Sequence, residues 1–368
     1  MSIHKKKAVD FVKKNSKLFL RELSKRYVQK EYKLRELASG SSGVLYQVSP
    51  HEVVKVMSYV KYQKEISFYK SIFVQFNKLY SRHPSLALHK HFYRHSTFEF
   101  SHVCSKDNKP LFIFERMPYL PMDLSEYSHS VKWTFTQFID IVCQIIHGIH
   151  LFHRLHYILT DLKIQNILIH PRTGRVKLID FGASYNKVLK NKSFYRTYYN
   201  RKVKNTTKED VWRLGILIYD FLRPYVNSLR KKQNLPDVQK MSYMVKAPMD
   251  AIVTQAYDFK LMVESDLISM RDTLMNSVQN VKHKREWKQI FTMIRNMLHT
   301  DPDKRPSLCN VLAVPALCTH CVLPRVDFSD DFKTHSNKHS NKRSVKSTKK
   351  YKKKHLRHSH DTKNRKSK

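Results

Sequence analysis

The sequence predicts an α+β chain, with strands gathered in its first third and helices beyond. Three segments carry that reading. Glu52-Val53-Val54-Lys55-Val56-Met57 is rich in β-branched residues and reads as a half-buried strand. Leu111 to Met117 reads as a second apolar strand, closed off by Pro118 and Pro121. Leu159 to Ser184 places Asp161, Lys163 and Asn166 on a loop after a helix, then a turn at Thr173-Gly174, then an apolar run that ends in Asp180-Phe181-Gly182.

The residue types in that third segment are those phosphoryl transfer uses. One acid lies near a hydroxyl, an amide and a second acid suit a divalent metal, and a lysine suits a transferred phosphate; catalysis of this kind is mostly positioning and charge neutralisation. Upstream, the segment from Leu37 to Leu45 contains Gly40 and Gly43 in a chain with only 6 glycines. Glycine allows a backbone to approach phosphate oxygens with no Cβ in the way, although the same segment also reads as a plain hairpin turn. Lys55 sits in the middle of its apolar strand, where an ammonium must find a partner or reach for water.

Taken in order, these motifs resemble those of eukaryotic-type protein kinases over about residues 34 to 315. The resemblance implies a two-lobed protein kinase fold, with a small β-rich N-lobe, a larger helical C-lobe, and ATP and Mg2+ as cofactors. Ala38, Gly40 and Gly43 then occupy the glycine positions of the nucleotide loop, with Ala38 replacing the first glycine. Lys55 faces the α- and β-phosphates and Glu65 is the helix glutamate that holds it, although Glu65 also reads as a solvated helix residue. The backbone from Glu115 to Met117 would bind the adenine edge. Asp161 would accept the proton of the substrate hydroxyl, Lys163 would steady the transferring phosphate, and Asn166 with Asp180 would hold magnesium. A lysine two residues after the catalytic acid is the serine/threonine pattern, and Thr197 is the threonine that could bridge that acid and lysine.

Further along, Glu209-Asp210-Val211-Trp212-Arg213-Leu214-Gly215 resembles the D-V-W-S-L-G start of the central helix of the large lobe. There Asp210 would accept hydrogen bonds from the catalytic-loop backbone. Asp301 to Ser307 resembles the D-P-x-x-R-P-S segment, whose arginine, here Arg305, normally pairs with a glutamate at the end of the activation segment. That glutamate is not visible near Asn200 to Val203, so another acid serves Arg305 or the segment is anchored differently. Leu159-Thr160 replaces the His-Arg pair before the catalytic acid, which removes the usual cation for an activation-loop phosphate. Divergence of this kind is similar to that of kinases carried by large DNA viruses.

The expected organisation is a basic helical extension over residues 1–30, an N-lobe over 31–117, a C-lobe over 118–325 and a disordered basic tail over 333–368. The extension, with Phe11, Val12, Leu18, Phe19, Leu20, Leu23 and Tyr27 among lysines, reads as amphipathic, packing on the small lobe or lying on a membrane surface. No stretch is expected to span a bilayer. Five cysteines, an odd count, predict no disulfide framework and fit a reducing, intracellular setting. The net charge of +39 points to polyanionic partners. Lys349 to Lys354 resembles a nuclear import signal, so the tail is expected to engage nucleic acid or an import receptor, with the protein in the nucleus. Two classes of function follow. One is an active serine/threonine kinase with protein substrates, acidic or nucleic-acid-associated; the other is a kinase-fold scaffold that binds polyanions without chemistry.

Overall fold

A computed structural model of the protein describes residues 10, 12–28, 32–40, 43–59, 74–75, 81, 100–104, 110–159, 161–180, 185–186, 207–239 and 251–318. All of them lie in one compact unit, Met1–Leu323. Glu65, Thr197, Phe181, Gly182, the neighbourhood of Asn200 to Val203 and the basic tail lie outside the described residues.

The first part of the chain builds an antiparallel sheet from β1 (Arg35–Gly40), β2 (Gly43–Ser49), β3 (Glu52–Ser58), β4 (Phe100–Cys104) and β5 (Pro110–Pro118), in the order β1-β2-β3-β5-β4. The β-branched run of β3 is buried at Val53, Val54 and Val56, and Lys55 between them is half-buried. Register places Lys55 opposite Leu45 on one side and Glu115 on the other.

The amphipathic N-terminal segment belongs to this core. Helix α1 (Ser16–Tyr27) lays its apolar face on the sheet, with Val12, Phe19 and Leu23 buried among Val44, Val48, Val54, Phe112 and Phe114. The Phe19 ring meets Phe112 edge to face at 5.1 Å and Tyr46 at 6.0 Å. Of the two settings weighed for this segment, small-lobe packing is the one the structure adopts.

The rest of the unit is helical apart from short strand pairs. After β6 (Met122–Asp123) come α2 (Leu124–Ser130) and α3 (Phe135–Arg154), then β7 (Tyr157–Ile158), a 3₁₀ turn at Ile164–Asn166, β8 (Ile167–Ile169), β9 (Val176–Leu178) and β10 (Tyr185–Asn186). Helices α4 (Thr207–Lys232), α5 (Ala251–Ser277), α6 (Val281–Met297), α7 (Leu308–Leu312) and α8 (Pro315–Cys318) follow. Side-chain caps fix where several begin. Asp123 accepts from the Glu126 amide at 2.8 Å, Thr134 and Gln137 form a reciprocal capping box on α3, and Asn280 and Ser307 cap α6 and α7. Helix α4 is the axis of this lobe: every residue from Glu209 to Leu222 is buried, and α2, α5 and α6 pack around it. Trp133, Phe138 and Phe221 join α3 to α4, with centroids 5.4 to 5.5 Å apart. The sheet and the helical part are the two lobes of the expected fold.

Helix α3 is long and apolar enough to cross a membrane, with a mean hydropathy of 1.3, but 67% of that window is buried inside the large lobe, as in the core helix of a globular domain. One expectation needs correction. Cys143 on α3 is disulfide-bonded, whereas Cys309 and Cys318 are free. The odd cysteine count therefore did not exclude a bridge.

Because Phe19 fills the centre of the small lobe, Phe19→Ala should cost about 3–5 kcal/mol of stability, read as a lower urea midpoint in equilibrium unfolding. A change below about 1 kcal/mol would mean that α1 is dispensable to this core.

Candidate active site

The site is built on the turns that follow α3. His156, at φ 62, reverses the chain after the helix, and β7 then carries it to Leu159. The 3₁₀ turn Ile164–Asn166 buries Ile164 and Asn166 and leads directly into β8. Apolar Leu162 and Ile164 are buried, and Lys163 between them is half-buried.

Asp161, Lys163 and Asn166 come together as the sequence predicts. Asp161 is buried and its Oδ2 accepts from Lys163 Nζ at 2.7 Å and from Asn166 Nδ2 at 3.3 Å. The same Asn166 amide donates to the Asp161 carbonyl at 2.9 Å. Two donors thus fix one carboxylate oxygen, and the ammonium lies beside it as a charge-assisted partner.

Asp180 reaches this cluster through the backbone. Strand β8 pairs with β9 in the register Ile167↔Leu178, and the next amide, that of Ile179, donates to the Asn166 carbonyl at 2.9 Å. Asp180 follows at once, exposed and at φ 60, a left-handed conformation that aspartate tolerates better than most residues and that turns the chain out of the strand. The spacing between Asn166 and Asp180 therefore reflects a two-stranded ribbon whose ends place the amide and the acid on adjacent strands. The turn at its far end has Gly174 at φ 63, and Gln144 from α3 braces it by donating to the Gly174 carbonyl at 3.0 Å and accepting from Val176 N at 3.0 Å.

The donor set fits a hard divalent cation. Asn166 commits its amide nitrogen inward to Asp161, which leaves the amide oxygen as its metal-type donor, and Asp180 supplies carboxylate oxygens; oxygen-only sets of this kind suit magnesium.

Lys55, Glu115 and Met117 lie on the small sheet. Glu115 is buried in β5 directly across from Lys55, and Met117 lies across from Val53. Pairing of β5 with the described part of β4 runs as far as Phe100↔Glu115, whereas pairing with β3 continues to Glu52↔Pro118. Strand β5 thus extends past the described part of β4, over the backbone that the sequence assigns to adenine. Gly40 and Gly43 close the β1–β2 hairpin as a register pair, and Ala38 sits beside a bulge in β1. Gly43 has its own structural reason to be glycine, since a Cβ there would lie 2.3 Å from the Val56 carbonyl oxygen of β3.

The cluster is anchored from beneath by α4. Asp210 is fully buried, and its Oδ2 accepts from the Leu159 amide at 2.8 Å and meets His153 Nε2 at 2.8 Å. Its Oδ1 accepts from Arg213 at 3.3 Å, and Arg213 also pairs with Glu209. Arg305 is buried as well, donating to the carbonyls of His299 (2.8 Å), Lys208 (3.1 Å) and Thr300 (3.4 Å), with its guanidinium 4.7 Å from the centre of the Trp212 ring. Lys208 donates in return to the Arg305 carbonyl. Burial lowers the Arg305 pKa to about 10, opposed by attraction from Glu209 and Asp301. Of these, the sequence pointed to Asp210 and Arg305. It missed His153, which lies far from Asp210 along the chain, and Arg213, whose signal was a lone arginine inside the apolar run Val211 to Leu217.

A sequence profile described as "Protein kinase domain" matches residues 32–317. The chain belongs to the protein kinase family. Among relatives, the kinase is 27% identical over 205 residues to the serine/threonine-protein kinase nekl-2 of Caenorhabditis elegans, a match covering 51% of this chain and 47% of the relative. It is 28% identical to the glycogen synthase kinase-3 homolog YGK3 of Saccharomyces cerevisiae, covering 55% and 56%, and 26% identical to the probable serine/threonine-protein kinase CCRP1 of Zea mays, covering 79% and 41%. The kinase thus spans about half the length of these curated relatives.

Asp210→Ala would leave His153 and the Leu159 amide without their carboxylate inside the lobe and remove one of the two acids paired with Arg213. The expected loss is about 3–5 kcal/mol in urea unfolding, since removing one member of a buried charge network strands the others. A loss near that of an exposed substitution would show that Asp210 is not the anchor.

Proposed function

We propose that this kinase transfers the γ-phosphate of ATP to serine and threonine hydroxyls of proteins. The observation that carries the proposal is the hydrogen-bonded group of Asp161, Lys163 and Asn166, with Asp180 joined to it through the Ile179 amide. In this reading Asp161 orients the substrate hydroxyl and accepts its proton, and Lys163 neutralises the transferring phosphate. Lys55 balances the α- and β-phosphates, while Ala38, Gly40 and Gly43 cover them and the backbone from Glu115 to Met117 takes the adenine edge. Asn166 and Asp180 hold magnesium, which supplies neutralisation of phosphate charge.

The serine/threonine assignment is supported by Lys163 and by the relatives nekl-2 and CCRP1, a serine/threonine-protein kinase and a probable one. The substrate class follows from charge. Residues 181–206, the segment between the metal loop and α4, contain seven lysines and arginines and no aspartate or glutamate. With a net charge of +39 on the chain, protein segments rich in acid are the favoured substrates. The Lys349 to Lys354 run directs the kinase to the nucleus through an import receptor, and the same tail can hold nucleic acid by its phosphates.

Transfer from labelled ATP with magnesium to acidic test proteins should fall at least ~100-fold in both Asp161→Ala and Lys55→Met. Phosphoamino-acid analysis should return phosphoserine and phosphothreonine. Transfer that persists in both variants, or product that is chiefly phosphotyrosine, would refute the assignment.

Leu159-Thr160 stands where a cation for an activation-loop phosphate would be found. Exhaustive phosphatase treatment of the purified kinase, followed by removal of the phosphatase, should therefore leave the initial rate within about twofold of the untreated rate. A collapse in rate that recovers on autophosphorylation would show that a phosphate switch exists.

A further inference from the structure

Arg305 is 1% exposed, and among the described residues no carboxylate lies within ion-pair distance of it. The chain also offers none from the usual quarter, because the first acid after Asp180 is Glu209. Glu209 lies in the first turn of α4 and is fully buried, next to the equally buried Asp210. Two adjacent carboxylates in such a setting repel each other and resist ionisation unless a cation is shared between them. Arg213, one turn further along α4, is that cation: its Nη2 pairs with Glu209 and its Nη1 with Asp210. The resembling family motif carries serine at this position. Arg213, Arg305, Glu209 and Asp210 thus form a buried group of two cations and two anions, with Trp212 over Arg305 and His153 on Asp210.

We propose that Arg213 is a positioning residue for catalysis. By pairing with Asp210, which accepts from the Leu159 amide, Arg213 fixes the backbone two residues before Asp161. The part that concerns catalysis rests on the kinase reading above; the charge cluster does not.

The test uses the full chain in four forms: wild type, Arg213→Ser, Glu209→Gln and Glu209→Gln/Arg213→Ser. Arg213→Ser should lower kcat by about 30-fold while the KM for ATP stays within about twofold, because the defect lies in the placement of Asp161 and not in nucleotide contacts. The double variant removes the repulsion along with the arginine, so its kcat and melting temperature should both rise above those of Arg213→Ser. A double variant no better than Arg213→Ser in either quantity would reduce Arg213 to a space-filling residue and overturn the proposal. Should Arg213→Ser not fold, Arg213→Lys keeps the charge without the fork, and it should show a smaller kcat loss that Glu209→Gln partly relieves. A lysine variant indistinguishable from wild type would equally overturn the proposal. If the wild type transfers no phosphate, the kinase reading fails while the melting comparisons still decide the cluster.

Discussion

The Asp210 carboxylate is the point on which the site turns. It lies in the first turn of a helix buried from Glu209 to Leu222, and its two oxygens reach three different structures: the amide before the catalytic loop, a histidine at the end of α3, and an arginine of its own helix. A backbone amide donating to a buried carboxylate is a short-range, directional contact, and it sets where Leu159 can lie. Asp161 is two residues away, so its placement inherits that of α4. The loop is irregular in conformation, but it is held by a rigid helix and has little freedom to drift.

The ribbon of β8 and β9 performs the complementary task. Ladder pairing fixes Asn166 and Asp180 relative to each other, and the inward hydrogen bonds of Asn166 fix the ribbon relative to Asp161. Three polar residues distant by chemistry and spacing are thereby tied into one frame with few rotatable bonds between them. Such preorganisation matters for phosphoryl transfer, whose barrier responds mainly to placement and electrostatics.

Much of this was legible in the sequence because the informative residues lie close together or follow a simple period. The β-branched residues of β3 revealed a strand with one lysine in it, and the Asp161 to Asp180 stretch carried its own turn signal. Long-range electrostatics were not legible in the same way. His153 meets Asp210 only because α3 and α4 pack, and nothing local to either residue predicts it. The sequence shows that Arg305 lacks its usual partner, yet its contacts with carbonyls and an indole face depend on three-dimensional placement. The first thirty residues were readable as an amphipathic helix, but an apolar stripe does not say what covers it; here it is the small sheet. Cys143 shows the same limit, since parity of cysteines counts thiols and says nothing about which are near.

The packing of α1 also bears on how this domain should be handled. The kinase-domain match starts at residue 32, after the helix has ended. A fragment trimmed to that boundary would strip Val12, Phe19 and Leu23 from one face of the sheet and leave Val44, Val48, Phe112 and Phe114 open to water. That wound is a contiguous aromatic and aliphatic patch of the kind that drives self-association. Insolubility of the trimmed fragment would then reflect surgery through the small lobe, and the fold's own lower limit lies before Val12.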